Sequence, residues 1–176
     1  MNIRAATPDD ADAVRCVHLS AFPESERDIV ARLAVDLLYE EAIPPVLALV
    51  SEIDESVVGH VAFSPVKTCD TREHVGYILA PLAVNPSYQK QGIASLLIET
   101  GISHLSALGP GILLVYGDPK FYSRYGFTAD HAGRYTPPYH LQHAFGWQGI
   151  VMRDYQSRSS SIDISCVSSL YNPSLW

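Results

Sequence analysis

The sequence predicts one α/β or α+β domain, in which helices pack against a sheet. Strand-like apolar runs alternate along the chain with segments whose apolar residues recur at helical spacing. The 176 residues are 47% hydrophobic, which is enough for a core of their own. Because the two periodicities are interleaved throughout, a purely helical or purely β architecture is excluded.

The chain is expected to begin with a short strand over residues 2–5, followed by two helices. Thr7 suits the N-cap of the first helix, and Pro8 and the two aspartates after it suit its first turn. The segment 22–25 interrupts the helical pattern, and a second apolar face begins at Ile29. Two helices therefore precede the rest of the sheet.

A β-hairpin is predicted next, from strands over 46–53 and 57–67 that a polar turn joins. An apolar run over 75–84 is the predicted central strand. It ends at Asn85-Pro86, since proline lacks a backbone donor and keeps its predecessor out of helix. Further strands are expected over 112–116 and 147–155, and these complete the sheet.

The turn 89–95 is the first candidate functional segment. It is rich in small residues and leads from the central strand into a helix predicted to start at Gln91 or Gly92 and to end near Leu108. The first N–H groups of a helix have no internal partner and lie at the positive end of its dipole, so this turn is a candidate anion site. Gly92 lets the backbone approach a ligand, and Ala94 keeps the next turn thin. An ordinary strand-to-helix connection that binds nothing is the alternative.

Residues 117–127 are the second candidate segment. A strand end leads through Gly117-Asp118-Pro119 into one or two helical turns that carry Tyr122 and Tyr125, and Gly126 ends them. The two tyrosines lie roughly on one face of the short helix. Either one can therefore contribute a hydroxyl to a site, while the other is a core residue.

These two segments resemble the acetyl-CoA site of the GNAT superfamily of N-acetyltransferases. In that family a [QR]-x-x-G-x-[GA] loop holds the pyrophosphate of coenzyme A, and the matching residues here are Gln89, Gly92 and Ala94. The family also carries a tyrosine four residues before a Gly-Phe pair, which corresponds to Tyr122. The loop is neither a Walker loop, since no G-K-[ST] follows, nor a good dinucleotide fingerprint.

The resemblance covers about residues 2–152 and is closest to a branch of uncharacterised bacterial predicted acetyltransferases, through the stretches 80–84, 117–119 and 145–147. It implies a GNAT-like acyl-CoA N-acyltransferase fold, with a mixed, mostly antiparallel central sheet flanked by helices. It also implies acetyl-CoA as co-substrate.

The resemblance further implies which residues hold acetyl-CoA. In GNAT folds the central strand splays from its neighbour and frees main-chain groups for the pantetheine and the thioester oxygen. The implied cofactor-binding residues are Leu82, Ala83, Val84, Gln89, Lys90, Gln91, Gly92, Ile93, Ala94, Ser95 and Tyr122. Tyr122 is also the expected catalytic residue, because a tyrosine of pKa about 10 can donate a proton to a thiolate whose thiol has a pKa of about 8.5. The spacing to Gly126-Phe127 favours it over Tyr125.

The connection between the first two helices borders the acceptor pocket in GNAT folds. Phe22, Glu24 and Glu26 are therefore candidate substrate-binding residues, with a solvated loop as the alternative. The central strand carries no carboxylate that could serve as a base. Glu24, His60 and His74 are left as candidates, and none is assigned.

The predicted function is transfer of an acetyl group from acetyl-CoA to a primary amine by direct attack. Because no base is evident, a non-catalytic acyl-CoA-binding regulatory module is the alternative. A third possibility is an unrelated α/β domain whose loop binds no nucleotide.

Composition limits the binding partners and the cellular compartment that are expected for this protein. The net charge of −7 and the lack of a basic block argue against nucleic acid, and no apolar run reaches the roughly 18 residues of a membrane span. Three cysteines, with no paired spacing, and a start that is charged at once favour a cytoplasmic protein. A small-molecule or peptide amine is the expected partner, and a homodimer is possible.

Two features near the end of the chain are expected to lie outside the chemistry. His140 and His143 have no third ligand at a usual spacing, so no metal is expected and a loop lining the acceptor cleft is favoured. The composition turns serine-rich at 156. We therefore expect a domain over 1–155 and a poorly ordered tail over 156–176.

Overall fold

The computed structural model describes residues 1–153 and 161–176, and their helices and strands follow the predicted order. The strands are β1 Asn2–Ala5, β2 Leu47–Ile53, β3 Ser56–Thr68, β4 His74–Val84, β5 Ile112–Tyr116, β6 Tyr135–Thr136, β7 Trp147–Val151 and β8 Ile162–Ser165. The helices are α1 Ala11–Ala21, α2 Arg27–Asp36, α3 Ile93–Leu108, α4 Pro119–Tyr122 and α5 Ala129–Ala132. None of these helices is both long and apolar enough to cross a bilayer.

The main sheet has the order β1-β2-β3-β4-β5-β7. Neighbouring strands are antiparallel except β4 and β5, which run parallel. β8 pairs antiparallel with the end of β3 and parallel with β6. The predicted mixed, mostly antiparallel sheet flanked by helices is confirmed.

The two faces of the sheet bury separate clusters. Tyr77 and Leu79 of β4 pack in the cluster that α3 covers, together with Leu97. Ile78, between them, points to the other face, where the cluster includes Leu33 of α2. The apolar run of β4 was predicted to be a buried strand, and helices on both faces explain why it shows no polar alternation.

Element boundaries differ from the prediction where backbone geometry decides them. α3 begins at Ile93 rather than at Gln91 or Gly92, because Lys90 and Gly92 have φ values of 61° and 83°, in the left-handed region. The last strand of the predicted sheet, β7, ends at Val151, and the predicted continuation to 155 lies partly outside the described residues.

Residues 161–176 pack onto the sheet, so the prediction of a poorly ordered tail is wrong for this part. Ile162 and Ile164 of β8 are buried, and Trp176 is only 5% exposed. The serine-rich composition hid a short apolar alternation. It forms β8, which pairs with the end of β3 beyond Phe63, the last β3 residue that β2 pairs. Residues 156–160 of the predicted tail lie outside the described part of the chain.

Candidate active site

The parallel pair β4 and β5 separates towards the carboxyl end of β4. Their pairing stops at Leu79 and Val115, although Leu82 still pairs with Val61 of β3. Between Leu79 and Leu82, β4 uses three residue steps where β3 uses two, from Phe63 to Val61. This extra residue is a β-bulge, which bends a strand and increases its twist. The sheet therefore opens into a groove between the two strands.

Main-chain amides of β4 face this groove. The N–H of Asn85 donates to the carbonyl of Val58 on β3 over 2.9 Å. Successive N–H groups of a strand alternate between its two sides. The amides of Leu82 and Val84 therefore point into the groove, whereas that of Ala83 points to β3.

The loop before α3 presents a row of free N–H groups. The first helical hydrogen bond runs from Leu96 N–H to the carbonyl of Gly92, over 3.0 Å. The N–H groups of residues 90–95 donate to no acceptor within the described chain. Gln89 fixes the loop, because its amide Nε2 donates to the Val84 carbonyl over 2.9 Å. The helix N-terminus thus faces the groove as a candidate anion site.

A cavity of about 520 Å³, here called the loop cavity, lies against these amides. Nine of the predicted cofactor-binding residues line it, namely Leu82, Ala83, Val84, Gln89, Lys90, Gly92, Ile93, Ala94 and Ser95. Gln91 is exposed and is not among the lining residues. Lys90 and Arg124 add two cations, and the Arg124 guanidinium lies 5.0 Å from the centre of the Phe121 ring. The loop cavity suits a multiply charged anion.

Tyr122 is held at the end of α4, whose N-cap Asp118 accepts a hydrogen bond from Lys120 N–H over 2.9 Å. The Tyr122 ring packs edge-on against Phe127, and it covers Gly117, where a Cβ would lie 2.4 Å from Cε2 of the tyrosine. Its hydroxyl makes no hydrogen bond among the described residues. Burial raises the pKa of Tyr122, so the phenol is neutral at pH 7 and its hydroxyl can donate a hydrogen bond.

Tyr125, the alternative to Tyr122, has a different environment. Its hydroxyl lies 2.7 Å from Oγ of Ser95, in the first turn of α3. That hydrogen bond connects the segment after α4 to the N-terminal turn of α3. Tyr125 is therefore a structural contact, and the uncommitted hydroxyl is that of Tyr122.

A second cavity, of about 390 Å³ and here called the tyrosine cavity, contains Tyr122 in its wall. It shares Phe22 and Leu82 with the loop cavity, so the two adjoin along β4. Phe22, a candidate substrate-binding residue, therefore borders both cavities. Glu26 also lines the tyrosine cavity, whereas the side chain of Glu24 is 87% exposed, lies outside it and pairs with Arg27 at 3.5 Å.

The structure does not bring the candidate bases into this groove. His60 is fully buried on β3, with Nδ1 2.9 Å from Nε2 of His18. Burial lowers the pKa of His60 to about 3, against an opposing effect of Asp10, and burial also lowers the pKa of His18. His74 begins β4, roughly 25 Å of extended chain before Leu82. Glu24 points to solvent. The carboxylates that do line the groove are those of Glu26 and Asp118.

Sequence reasoning did not identify several residues of the site. Arg124 lies one helical turn after Phe121, and that spacing was its only signal. Leu170, Leu175 and Trp176 line the tyrosine cavity but lie about 50 residues after Tyr122 in the chain, so no local pattern could reveal them. Within the described residues, no group of three His, Cys, Asp or Glu side chains is placed to hold a metal.

Comparisons with known proteins agree with this geometry. The family profile of the GNAT acetyltransferase domain matches residues 45–129. The chain is 36% identical over 143 residues to the uncharacterised N-acetyltransferase YjhQ of Escherichia coli K12, covering 78% of this chain and 77% of that protein. It is 38% identical over 129 residues to YhbS of the same strain, covering 72% and 73%.

Two crystal structures are similar over nearly the whole chain. YhbS from Escherichia coli in complex with CoA has a TM-score of 0.81 and 28% identity, covering 97% of this chain and 92% of that one. A GNAT family acetyltransferase from Brucella melitensis in complex with acetyl-CoA has a TM-score of 0.70 and 27% identity, covering 96% of each.

Proposed function

Because the chain belongs to the GNAT acetyltransferase family, we propose that it transfers the acetyl group of acetyl-CoA to a primary amine by direct attack. One observation carries the proposal. The free N–H groups of residues 90–95 open onto a groove that continues past the amides of β4 to the uncommitted hydroxyl of Tyr122. The groove thus has a place for a diphosphate at one end and for a thioester at the other.

The loop cavity is the proposed site of the diphosphate. Its N–H groups belong to a helix N-terminus, and Lys90 and Arg124 supply full positive charges. Hydrogen bonds from charged or dipole-aligned donors to phosphate oxygens are the stronger kind. The similar proteins of Escherichia coli and Brucella melitensis are in complex with CoA and acetyl-CoA, which supports this class of ligand.

The thioester is proposed to lie between β4 and α4. As the amine nitrogen attacks the carbonyl carbon, the carbonyl oxygen gains negative charge, and the amides of Leu82 and Val84 are the donors aimed at this space. The C–S bond then breaks, and the departing thiolate takes the phenolic proton of Tyr122. Its raised pKa keeps the phenol protonated until that moment. The ammonium loses one proton to water before the attack, and the second proton lost by the nitrogen returns through water to the Tyr122 phenolate.

The matched pair Tyr122→Phe and Tyr125→Phe tests this assignment. Tyr122→Phe removes the proton donor, and we expect kcat to fall about 100-fold or more while the Kd for CoA is unchanged. Tyr125→Phe removes a structural hydrogen bond and should cost about 1 kcal/mol of stability with a smaller loss of kcat. Discontinuous assays of thiol release measure kcat, and calorimetric titration with CoA measures the Kd. An unchanged kcat for Tyr122→Phe would refute its role.

A non-catalytic acyl-CoA-binding module is the second candidate. It is favoured by the positions of Glu24, His60 and His74, none of which lines the groove as a base. Incubation with saturating acetyl-CoA and a broad panel of amines separates the two functions. Release of free CoA thiol above the rate without amine supports the enzyme, and tight binding without release supports the module.

We place this activity in the cytoplasm. The three cysteines Cys16, Cys69 and Cys166 are all free thiols, which suits a reducing compartment. Mass spectrometry of the protein purified without reductant would show three unmodified thiols. A disulfide in that sample would contradict the assignment.

A further inference from the structure

We propose that the acceptor is a primary amine carried on an apolar body, and that residues 170–176 together with Glu26 select it. The inference rests on the proposed function and names its substrate class. It depends on two properties of the groove beyond Tyr122: an apolar wall and a charge opposite to that of the loop cavity.

The tyrosine cavity continues outwards into a third cavity of about 530 Å³, here called the outer cavity. The two share seven residues, namely Glu26, Val30, Tyr116, Gly117, Asp118, Leu175 and Trp176. Because these residues border both spaces, the two cavities adjoin, and we infer one passage from the hydroxyl of Tyr122 to solvent. That passage lies on the side of Tyr122 away from the cations of the loop cavity, so it is the entry for the acceptor.

One side of this passage is apolar, and the end of the described chain forms part of it. Leu170 lines the tyrosine cavity, Leu175 and Trp176 line both cavities, and Val30 of α2 faces them. The indole Nε1 of Trp176 donates to the Leu170 carbonyl over 3.0 Å, so its polar atom is satisfied and its ring is left for contact. At the outer end, Phe145 is 67% exposed and lies beside His143.

The Trp176 ring is also fixed from behind. Its centroid lies 6.0 Å from that of Trp147 on β7 and 6.4 Å from that of Tyr139. A wall held in this way is a preformed surface for an apolar group, since little side-chain freedom is lost on binding.

The charge of the passage complements an ammonium group. Glu26 and Asp118 line both cavities, and no lysine or arginine of the described residues lines either one. The loop cavity has the opposite character, with Lys90 and Arg124 in its wall. The groove therefore attracts an anion at the end near α3 and a cation at the end near residues 170–176. Glu26 makes no ion pair among the described residues, so its carboxylate is available to a ligand.

Rates of thiol release with four amines test the substrate class. The probes are phenethylamine and hexylamine, whose bodies are apolar, and ethanolamine and lysine, whose bodies are polar. We expect kcat/KM to be about tenfold or more higher for the apolar pair, because their bodies leave water on binding. Equal values for the four amines would overturn the inference and leave the proposed function intact. No thiol release with any amine, although acetyl-CoA binds, would overturn both.

Two matched pairs of variants test the selecting residues. Leu175→Ser should reduce the preference for phenethylamine over ethanolamine severalfold, whereas Tyr171→Ser, in the same segment but outside both cavities, should not. Glu26→Gln should raise KM for the amines about tenfold with a smaller change in kcat, whereas Glu24→Gln should change neither. If Leu175→Ser fails to fold, Phe145→Ala at the exposed outer end provides the same comparison. A preference unchanged in the folded wall variants would overturn the role of the wall.

Discussion

Replacing Gly92 by alanine places one methyl group in open space at the N-terminus of α3. Gly92 has φ +83°, and no heavy atom of the surrounding protein lies within 4 Å of a Cβ built at this position. The substitution therefore creates no clash within the protein. Its cost in folding is the penalty of a Cβ in the left-handed region, about 1–2 kcal/mol.

The same methyl group stands where the diphosphate is proposed to approach. Displacing the ligand from one charge-assisted hydrogen bond with these N–H groups costs about 1.5–3 kcal/mol. That corresponds to CoA binding about 10- to 100-fold weaker. The loss of affinity thus comes from the ligand side of the loop.

Gly109→Ala is the matched control at the other end of the same helix. Gly109 also has a positive φ, +66°, and its Cβ would meet only Nη1 of Arg153, at 3.7 Å. Both variants should lose similar stability in urea denaturation, but only Gly92→Ala should lose affinity in calorimetric titration with CoA. The reasoning would be refuted if neither variant lost affinity for CoA, or if both lost the same amount of affinity.

Two further predictions concern the groove and the core. Gly117→Ala should displace the Tyr122 ring and lower kcat with little change in the Kd for CoA, whereas Gly133→Ala, whose Cβ would make only 3.5 Å contacts, should leave kcat unchanged. The unfolded chain protonates His18 and His60 near pH 6.5, but burial lowers the pKa of both rings in the folded protein. The free energy of unfolding is therefore unaffected by these rings above pH 6.5, and it decreases as the pH drops below 6.5, by about 1.4 kcal/mol per pH unit for each ring. A free energy of unfolding that stays constant between pH 6.5 and 5 would contradict this.

The segments that the sequence predicted well are those whose structure is local. The segment from β4 through the loop to α3 could be identified because strand, small-residue turn and helix follow one another directly in the chain. In addition, Gly92 has the positive φ that only glycine adopts without strain. The choice between Tyr122 and Tyr125 could not be made from helical spacing. The structure shows only how the two hydroxyls differ: that of Tyr125 is hydrogen-bonded to Ser95, which lies 30 residues away.

The acceptor side depended on packing that no local pattern contains. Glu24 and Glu26 are both glutamates of the connection before α2, and the sequence does not distinguish them. Because α2 begins directly after Glu26, this turn directs Glu26 into the groove and Glu24 to solvent. The wall formed by Leu175 and Trp176 requires the chain to return across the sheet after β7. A serine-rich composition predicts disorder, and buried residues such as Ile164 overrode it in residues 161–176.

A crystal structure of the protein with bound CoA tests the central claim most directly. The account predicts diphosphate oxygens about 2.7–3.2 Å from main-chain nitrogens within residues 90–95, with the sulfur within hydrogen-bonding reach of the Tyr122 hydroxyl. A diphosphate held elsewhere, or a sulfur atom on the far side of β4 from Tyr122, would contradict it.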